Sequence, residues 1–357
     1  MDIVVIGAGL IGAAAACALQ RAGAQVSVVD AGGASATSAS FGWANASYFA
    51  DTHHFRIRCA GLDALQALCN DVGVPLNRCG CLSWELEGKA LDSRLATLQS
   101  LGYPVESVSR DDVRRLEPDI ATAPRRCLRF RNEATVDPVA LTQALLEAAL
   151  THGARLYTGV TVRSFVRRAD RVRGVETSAG TFRADTTLIA AGTGSASLTA
   201  ALDAPVPMLD RPAVVIRTAP VSCTISHVLA TDFGDVRQLA CGALQMPAAA
   251  GHQAIGSVAP KIDLAPTAHR ALTQLNTLLP GYDLALAEAS VAHRPIPGDG
   301  LPAVGPLAPG AYVATLHSGI TLAALVARLI ATELLHGETA ESRNWLSPYR
   351  PSRFRPR

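Results

Sequence analysis

Gly7, Gly9 and Gly12 stand in the spacing G-x-G-x-x-G, and Asp30 follows the third of them by 18 residues. That combination suits a dinucleotide. Gly7 permits a tight turn, Gly9 lets the backbone approach a pyrophosphate, and Gly12 allows close contact between helix and strand. The helix that begins there offers unpaired N–H groups and partial positive charge to phosphates. Asp30 is placed to accept hydrogen bonds from an adenosine ribose, and its charge disfavours a 2′-phosphate. Other reactive side chains lack a complete constellation. Cys79 and Cys81 flank Gly80, but no second C-x-C or histidine cluster accompanies them, so packing thiols are expected and no metal site. His53 and His54 are adjacent, and neighbouring residues on a helix or strand point in different directions, so at most one faces a pocket. Surface exposure is the default for the pair. No Ser/His/Asp triad is evident.

The elements needed to position the glycines fall in order around them. Residues 2–6 (DIVVI) form a short β-branched run, which reads as a strand buried on both faces of a parallel sheet. Ile11, Ala14, Ala15, Ala18, Leu19 and Ala22 then keep helical spacing until Gly23, and residues 25–29 form a second strand ending in Asp30. Residues 32–47 are a Gly/Ser/Ala-rich loop bearing Ser35, Thr37, Ser38 and Ser40. Such a loop is either a surface connection or a cover whose backbone amides approach phosphate or an aromatic ring.

Further along, helices are expected over 56–69, 110–119 and 138–152, and strands over 80–87, 155–162, 164–168, 172–178 and 186–190, with a hairpin turn at 169–171. Residues 188–195 (LIAAGTGS) again run from an apolar strand into glycine, as at a cofactor edge. The stretch 205–260 reads as a mostly antiparallel sheet, and 312–315 as a strand. Leu322, Leu325, Val326, Leu329 and Ile330 mark an amphipathic helix with Ser318 as N-cap and Gly337 as stop.

The chain has 357 residues, enough for about two domains. It is 49% hydrophobic and 17% charged, so it can bury a sizeable core and carries no disordered signature. A net charge of +2, no long like-charge run and 5% aromatic residues argue against nucleic-acid binding. Mean hydropathy is +0.22, yet the longest apolar stretch, 322–330, is interrupted by Arg328, so no membrane span is expected. Eight scattered cysteines, with Asp2 where a cationic leader would be, point to reduced thiols in the cytoplasm. The arginines at 350, 353, 355 and 357 read as a solvated end.

These pieces resemble the FAD-dependent amino-acid oxidase family, which includes D-amino-acid, glycine and sarcosine oxidases and related dehydrogenase subunits. The matching stretches are IGAGLIG at 6–12, 137–154, 174–195, HRPIPGDGLPAVGP at 293–306 and LHSGITLAAL at 316–325. The resemblance implies an α/β fold: a discontinuous Rossmann-like FAD-binding domain (1–80, 137–200 and 286–357) with an inserted, mainly antiparallel β substrate domain (81–136 and 201–285). It places Gly7, Gly9, Gly12 and Asp30 on the AMP half of FAD. Trp43, Ala44 and Asn45 would pass the isoalloxazine, Gly192 would lie in a second glycine turn, and Ser318, Gly319, Ile320 and Thr321 would flank the flavin pyrimidine. Ser38, Ser40 and Val160 complete the expected cofactor contacts. No tethering cysteine stands beside 293–306, so non-covalent FAD is expected.

On the same resemblance, Arg294 is either a clamp for a substrate carboxylate or a structural arginine touching cofactor or backbone. His317 acts as a base or a positive charge near the reduced flavin, or else as an orienting donor. Amides at the start of the helix after Ser318 would stabilise negative charge developing toward flavin N1 and the C2 carbonyl. The leading expectation is oxidation of the C–N bond of a small amino acid or secondary amine to an imine, by hydride transfer to flavin N5, with oxygen or another electron acceptor. The alternatives are a flavin dehydrogenase subunit of a multi-chain amino-acid, opine or proline-type dehydrogenase, and a cofactor-binding subunit without turnover. A nicotinamide enzyme would use the first 30 residues but not the segments at 293–306 and 316–325. Homo- or hetero-oligomers fit these readings.

Overall fold

A computed structural model describes residues 1–33, 35–248 and 262–355 of the chain. The β-branched run Asp2–Ile6 is a strand buried beyond its first residue. It lies within a six-stranded sheet of order Ala303–Ala308, Ala311–Thr315, Thr186–Ile189, Asp2–Ile6, Gln25–Asp30, Arg155–Thr158. Neighbours run parallel except the first pair, which is antiparallel. Alternate residues of the inner strand serve two layers. Ile3 and Val5 pack with the helices Leu10–Arg21, Pro138–Thr151 and Gly319–His336. Val4 and Ile6 pack with Val172 and Val175 of an antiparallel meander, Val162–Arg168, Arg171–Thr177 and Gly180–Arg183. The turn expected at 169–171 joins the first two meander strands, with Ala169 in the left-handed region at φ 53°.

The second large sheet has eight strands in the order Leu286–His293, Pro212–Pro220, Ala243–Ala248, Gly234–Gln238, Val228–Thr231, Cys81–Ser83, Arg126–Phe130, Val105–Ser109. Every pairing is antiparallel except that of Val228–Thr231 with Cys81–Ser83. The helix Leu264–Leu278 covers one face, where Ala268, Ala271, Leu275 and Leu278 pack on Val214, Ile216, Leu244 and Met246. The fold is thus mixed α/β, with a largely parallel sheet beside a mainly antiparallel one. Leu286–His293 sits at the edge of the antiparallel sheet, although the division drawn from the sequence placed residues from 286 onward with the nucleotide part.

Several expectations change in detail. The helix expected over 56–69 begins at Thr52, because Asp51 accepts a hydrogen bond from the His54 amide and caps it. Only Cys81–Ser83 of the strand expected over 80–87 is extended; the apolar alternation continued to Leu86, which is exposed. The helices Gly88–Ser100 and Leu264–Leu278 were not foreseen. Residues 249–260 of the expected antiparallel stretch lie outside the described residues. Arg328 does not interrupt the last long helix, because it sits on the exposed side paired with Glu341. Gly319–His336 therefore runs 18 residues with a hydropathy of 1.5, long and apolar enough by those measures to cross a membrane, and is half buried within the protein. Its neighbours there are Leu10–Arg21 and Thr52–Asp71. Of the tail expected to be solvated, Arg350 pairs with the buried Glu333, Arg353 with Asp299, and Arg355 donates to the Leu307 carbonyl; Arg357 lies outside the described residues.

The crossing of Thr52–Asp71 over Gly319–His336 depends on Gly61, where a Cβ would stand 2.5 Å from the Thr321 carbonyl oxygen. Gly61→Ala should lower stability by about 1–3 kcal/mol through this overpacking. Urea unfolding of the variant beside the wild type measures it, and an unchanged midpoint would contradict the close crossing.

Candidate active site

A cleft of about 1980 Å³ opens between the carboxyl ends of the parallel strands and the eight-stranded sheet. At its nucleotide end, Gly7 has φ +104°, and a Cβ there would lie 2.5 Å from the Ala190 carbonyl oxygen. At Gly12 a Cβ would lie 1.9 Å from the Gly7 oxygen, so any side chain would push the helix off the strand. Gly7 and Gly9 line the cleft, whereas Gly12 stands behind them. Asp30 ends its strand with both carboxylate oxygens oriented, Oδ2 accepting from the Ala8 amide (2.7 Å) and Oδ1 from the Gly32 amide (2.8 Å). Each oxygen retains acceptor capacity toward the cleft. Val160 lines the cleft beside it and donates its amide to the Asp30 carbonyl (2.9 Å).

The loop after Asp30 is held by its own hydroxyls. Thr37 Oγ1 accepts from the Leu10 amide (3.1 Å) at the start of the first helix. Ser38 Oγ donates to the Ser35 carbonyl (2.9 Å), and Ser40 Oγ accepts from the Gly42 amide (3.1 Å). Trp43–Ala44 then pairs with Ala134–Val136. Trp43 lines the cleft, but Ala44 is fully buried behind it, supporting the loop rather than facing a ligand. Gly192 lines the cleft with φ +56°, its carbonyl accepting from Thr315 Oγ1 (3.4 Å).

One residue outside the sequence candidates gathers several of them. Arg58, 4% exposed, donates Nε to the Asn45 carbonyl (3.1 Å), Nη2 to Asn45 Oδ1 and Nη1 to Ser318 Oγ. Asn45 in turn donates its amide to Thr321 Oγ1 (3.1 Å). Burial pushes the Arg58 guanidinium down to about 10, so it stays a cation at neutral pH. Ser318 occupies the N-cap position but does not cap: its hydroxyl accepts from Arg58, and its backbone is left-handed at φ 38°. The amides of Gly319, Ile320 and Thr321 open the helix on the cleft side. As first-turn groups they have no intrahelical carbonyl to meet. His317 is exposed and lines the cleft beside them.

Behind the loop lies Glu133, fully buried and also unforeseen. It accepts from Trp43 Nε1 (3.0 Å), Tyr103 OH (3.2 Å) and the Ser47 amide (3.3 Å). Burial raises its carboxyl from 4.5 to about 7 despite these donors.

Arg294 lines the far part of the cleft, half-buried, with Nε donating to the Arg211 carbonyl (3.2 Å). Burial, and then Arg211, lower its pKa. No carboxylate of the described residues forms an ion pair with it. Next to it, the paired strand residues Ala213 and Ala292, Val215 and Ser290, Arg217 and Glu288 turn one sheet face toward the cleft. His54 also lines the cleft, while its neighbour His53 turns to a separate groove and contacts the Trp345 carbonyl (3.0 Å). A signal for Arg58 was present in the sequence: positions 54, 58, 61, 62 and 65 form the buried stripe of the helix, with a charge in its middle. Glu133 carried no comparable mark.

The description "DAO: FAD dependent oxidoreductase" belongs to a family that matches residues 2–333. The D-amino acid dehydrogenase of Cereibacter sphaeroides is 31% identical over 267 residues, which take in 72% of this chain and 60% of that protein. The chain thus spans less than two thirds of that relative's length. Among solved structures, L-proline dehydrogenase from P. horikoshii superposes with a TM-score of 0.86 at 18% identity, over 99% of this chain and 97% of that one. Glycine oxidase from Geobacillus kaustophilus superposes at 0.84 with 22% identity over 99% of both chains. Likeness at that level of identity speaks for the fold. The cleft suits FAD on its own terms, since a Cβ at Gly7 would collide with the Ala190 backbone and the starts of two helices line the cleft. With the family match extending over nearly the whole chain, the protein belongs to the DAO family of FAD-dependent oxidoreductases.

Proposed function

We propose that this protein oxidises the C–N bond of a small amino acid or secondary amine to an imine, using non-covalently held FAD. The observation that carries this reading is a single cleft joining the glycine turn, the Gly319–Thr321 amides and the Arg294 guanidinium. Bound FAD would supply the two-electron acceptor for the C–N bond. Gly7, Gly9, Asp30 and Val160 would hold its nucleotide half. The loop residues Ser38, Ser40, Trp43 and Asn45, with Gly192, would border the ring, Gly12 and Ala44 giving support from behind. The helix start at Ser318–Thr321 favours negative charge on whatever it faces, because its dipole and free amides need no reorganisation. Arg294 would clamp the substrate carboxylate and orient it, and His317 would add a donor or a positive charge. The division into a discontinuous FAD-binding part and an inserted substrate part accompanies this reading, as does a cytoplasmic site of action.

No cysteine is among the described residues that line the cleft, which supports a non-covalent cofactor. A second reading, a dehydrogenase passing electrons to an acceptor other than oxygen, alone or with partner chains, is favoured by the 31% identity to a D-amino acid dehydrogenase.

Three outcomes are expected. Acid precipitation of purified protein should release a flavin spectrum into the supernatant; colour that stays in the pellet would rule out non-covalent binding. Anaerobic addition of the cognate amino acid should bleach the flavin, and admitting air should restore it quickly for an oxidase and slowly for a dehydrogenase. Arg294→Ala should then weaken productive binding by about 2–5 kcal/mol, and an unchanged kcat/KM for an amino acid would remove the clamp. Glu133 gives a stability test independent of turnover. Its folded carboxyl, raised to about 7, binds a proton that the unfolded chain releases near 4.5, so its contribution is complete below about 4.5 and is lost as pH rises through 7. Subtracting the unfolding free energies of Glu133→Gln from those of the wild type should leave a fall of roughly 2–3 kcal/mol across that window, and a flat difference would contradict it.

A further inference from the structure

We infer that Glu133 is a positioning residue for the cleft. Its carboxylate holds the Trp43 indole from behind and, through Arg58, sets the charge of the wall at the helix start 318–321. Negative charge bound at that start and a proton on Glu133 therefore favour one another. The inference rests on FAD binding and not on the C–N chemistry proposed above. Glu133 is fully buried, yet one of its donors, Trp43 Nε1 (3.0 Å), belongs to a side chain that lines the cleft. Tyr103 OH and the Ser47 amide fix the carboxylate in that position. Arg58 also lines the cleft and donates to Ser318 at the helix start, and Glu133 is the charge that acts on it most strongly. An ionised Glu133 thus offsets part of the positive charge that Arg58 presents to the cleft, and a protonated one leaves it whole.

Among the described residues packed around it, Glu133 is the one whose charge changes near neutral pH. Cys79, Cys81 and Tyr103 feel its charge, Cys59 adjoins Arg58, and burial raises all four, so they stay protonated. His54, one turn before Arg58 on Thr52–Asp71, is lowered by burial to about 4 and is neutral. Arg58 and Arg94, the latter donating to the Ser47 carbonyl, keep their charge. Burial lifts the Glu133 carboxyl itself to about 7. A flavin that takes up two electrons and one proton carries one negative charge. Where that charge faces the helix start it meets Arg58 behind Ser318, and the full Arg58 charge holds it better than the offset one. By reciprocity, reduced FAD then raises the proton affinity of Glu133, and the proton comes from solvent.

The preference for reduced over oxidised FAD is read from the midpoint potential of the holoenzyme against that of free FAD, with a chemical reductant and no substrate, across neutral pH. Wild type and Glu133→Gln should agree at the acid end, where both are neutral at this position. As pH rises through 7, the preference should fall in wild type relative to Glu133→Gln by about 5-fold or more. Trp43→Phe removes a donor that favours the carboxylate, so its fall should come at higher pH than in wild type. A constant ratio between wild type and Glu133→Gln, whether offset or equal, overturns the inference, because a purely structural role moves all pH values alike. A fall at unchanged pH in Trp43→Phe overturns the hold on the indole. If Glu133→Gln does not fold, ¹³C NMR of the glutamate carboxyls in the wild-type holoenzyme decides. The resonance that titrates near 7 should do so at higher pH once the flavin is reduced, and one that stays in place overturns the coupling. None of these readings needs turnover, so a failure to find an amine substrate would sink the proposed reaction and leave this test intact.

Discussion

A guanidinium taken out of water must have its donors met and its charge balanced, or the surrounding structure gives way. Arg58 meets this demand with groups from two places far apart in sequence, Asn45 in the loop and Ser318 at the head of the last long helix. The buried Glu133, about half ionised near pH 7, supplies part of the opposite charge from a third. The loop cannot shift without abandoning Asn45, and the helix cannot rotate without abandoning Ser318. The left-handed backbone at Ser318 belongs to the same constraint: it turns the hydroxyl to the arginine and leaves the first-turn amides facing the cleft. A lysine could not do this, having no planar fork to serve three acceptors on two elements.

Small residues set the distances at which this arrangement operates. The first helix is rich in alanine and approaches the sheet closely at Gly12, while Gly61 lets a second helix cross over the carbonyl of Thr321. Thr321 is the residue whose hydroxyl meets the Asn45 amide. Backbone proximity and side-chain hydrogen bonding at the cleft wall are therefore two aspects of one packing solution.

The nucleotide end was legible in the sequence because its signals are local. Strand, glycine turn, alanine-rich helix, strand and acid lie within thirty residues, and each has a backbone reason to be where it is. The wall opposite was legible only in pieces. Asn45 and Ser318 were singled out, but the residue that joins them lies on a helix read from its apolar positions alone, so the charge on the buried stripe passed unnoticed. Glu133 is silent in sequence, because its partners Trp43, Ser47 and Tyr103 are brought together only by tertiary folding. At Cys81–Ser83 the alternation of apolar residues outran the strand: pairing stops at Ser83, opposite Ala230 on one side and Leu128 on the other, although both neighbouring strands run on. Leu264–Leu278 had a readable stripe at 268, 271, 275 and 278, obscured by a proline in its first turn.

The eight-stranded sheet also has a history that the finished fold conceals. Three of its strands come from residues 81–130 and five from residues 212–293, and the two groups meet only where Val228–Thr231 lies parallel to Cys81–Ser83. During synthesis the earlier group emerges with that inner edge unpaired, and it must wait for nearly a hundred further residues before the matching strand leaves the ribosome. An apolar edge held open for that interval is a template for pairing with other chains. The time for which that edge stays open is set by the rate of translation between the two segments, a quantity that no equilibrium property of the native molecule would reveal.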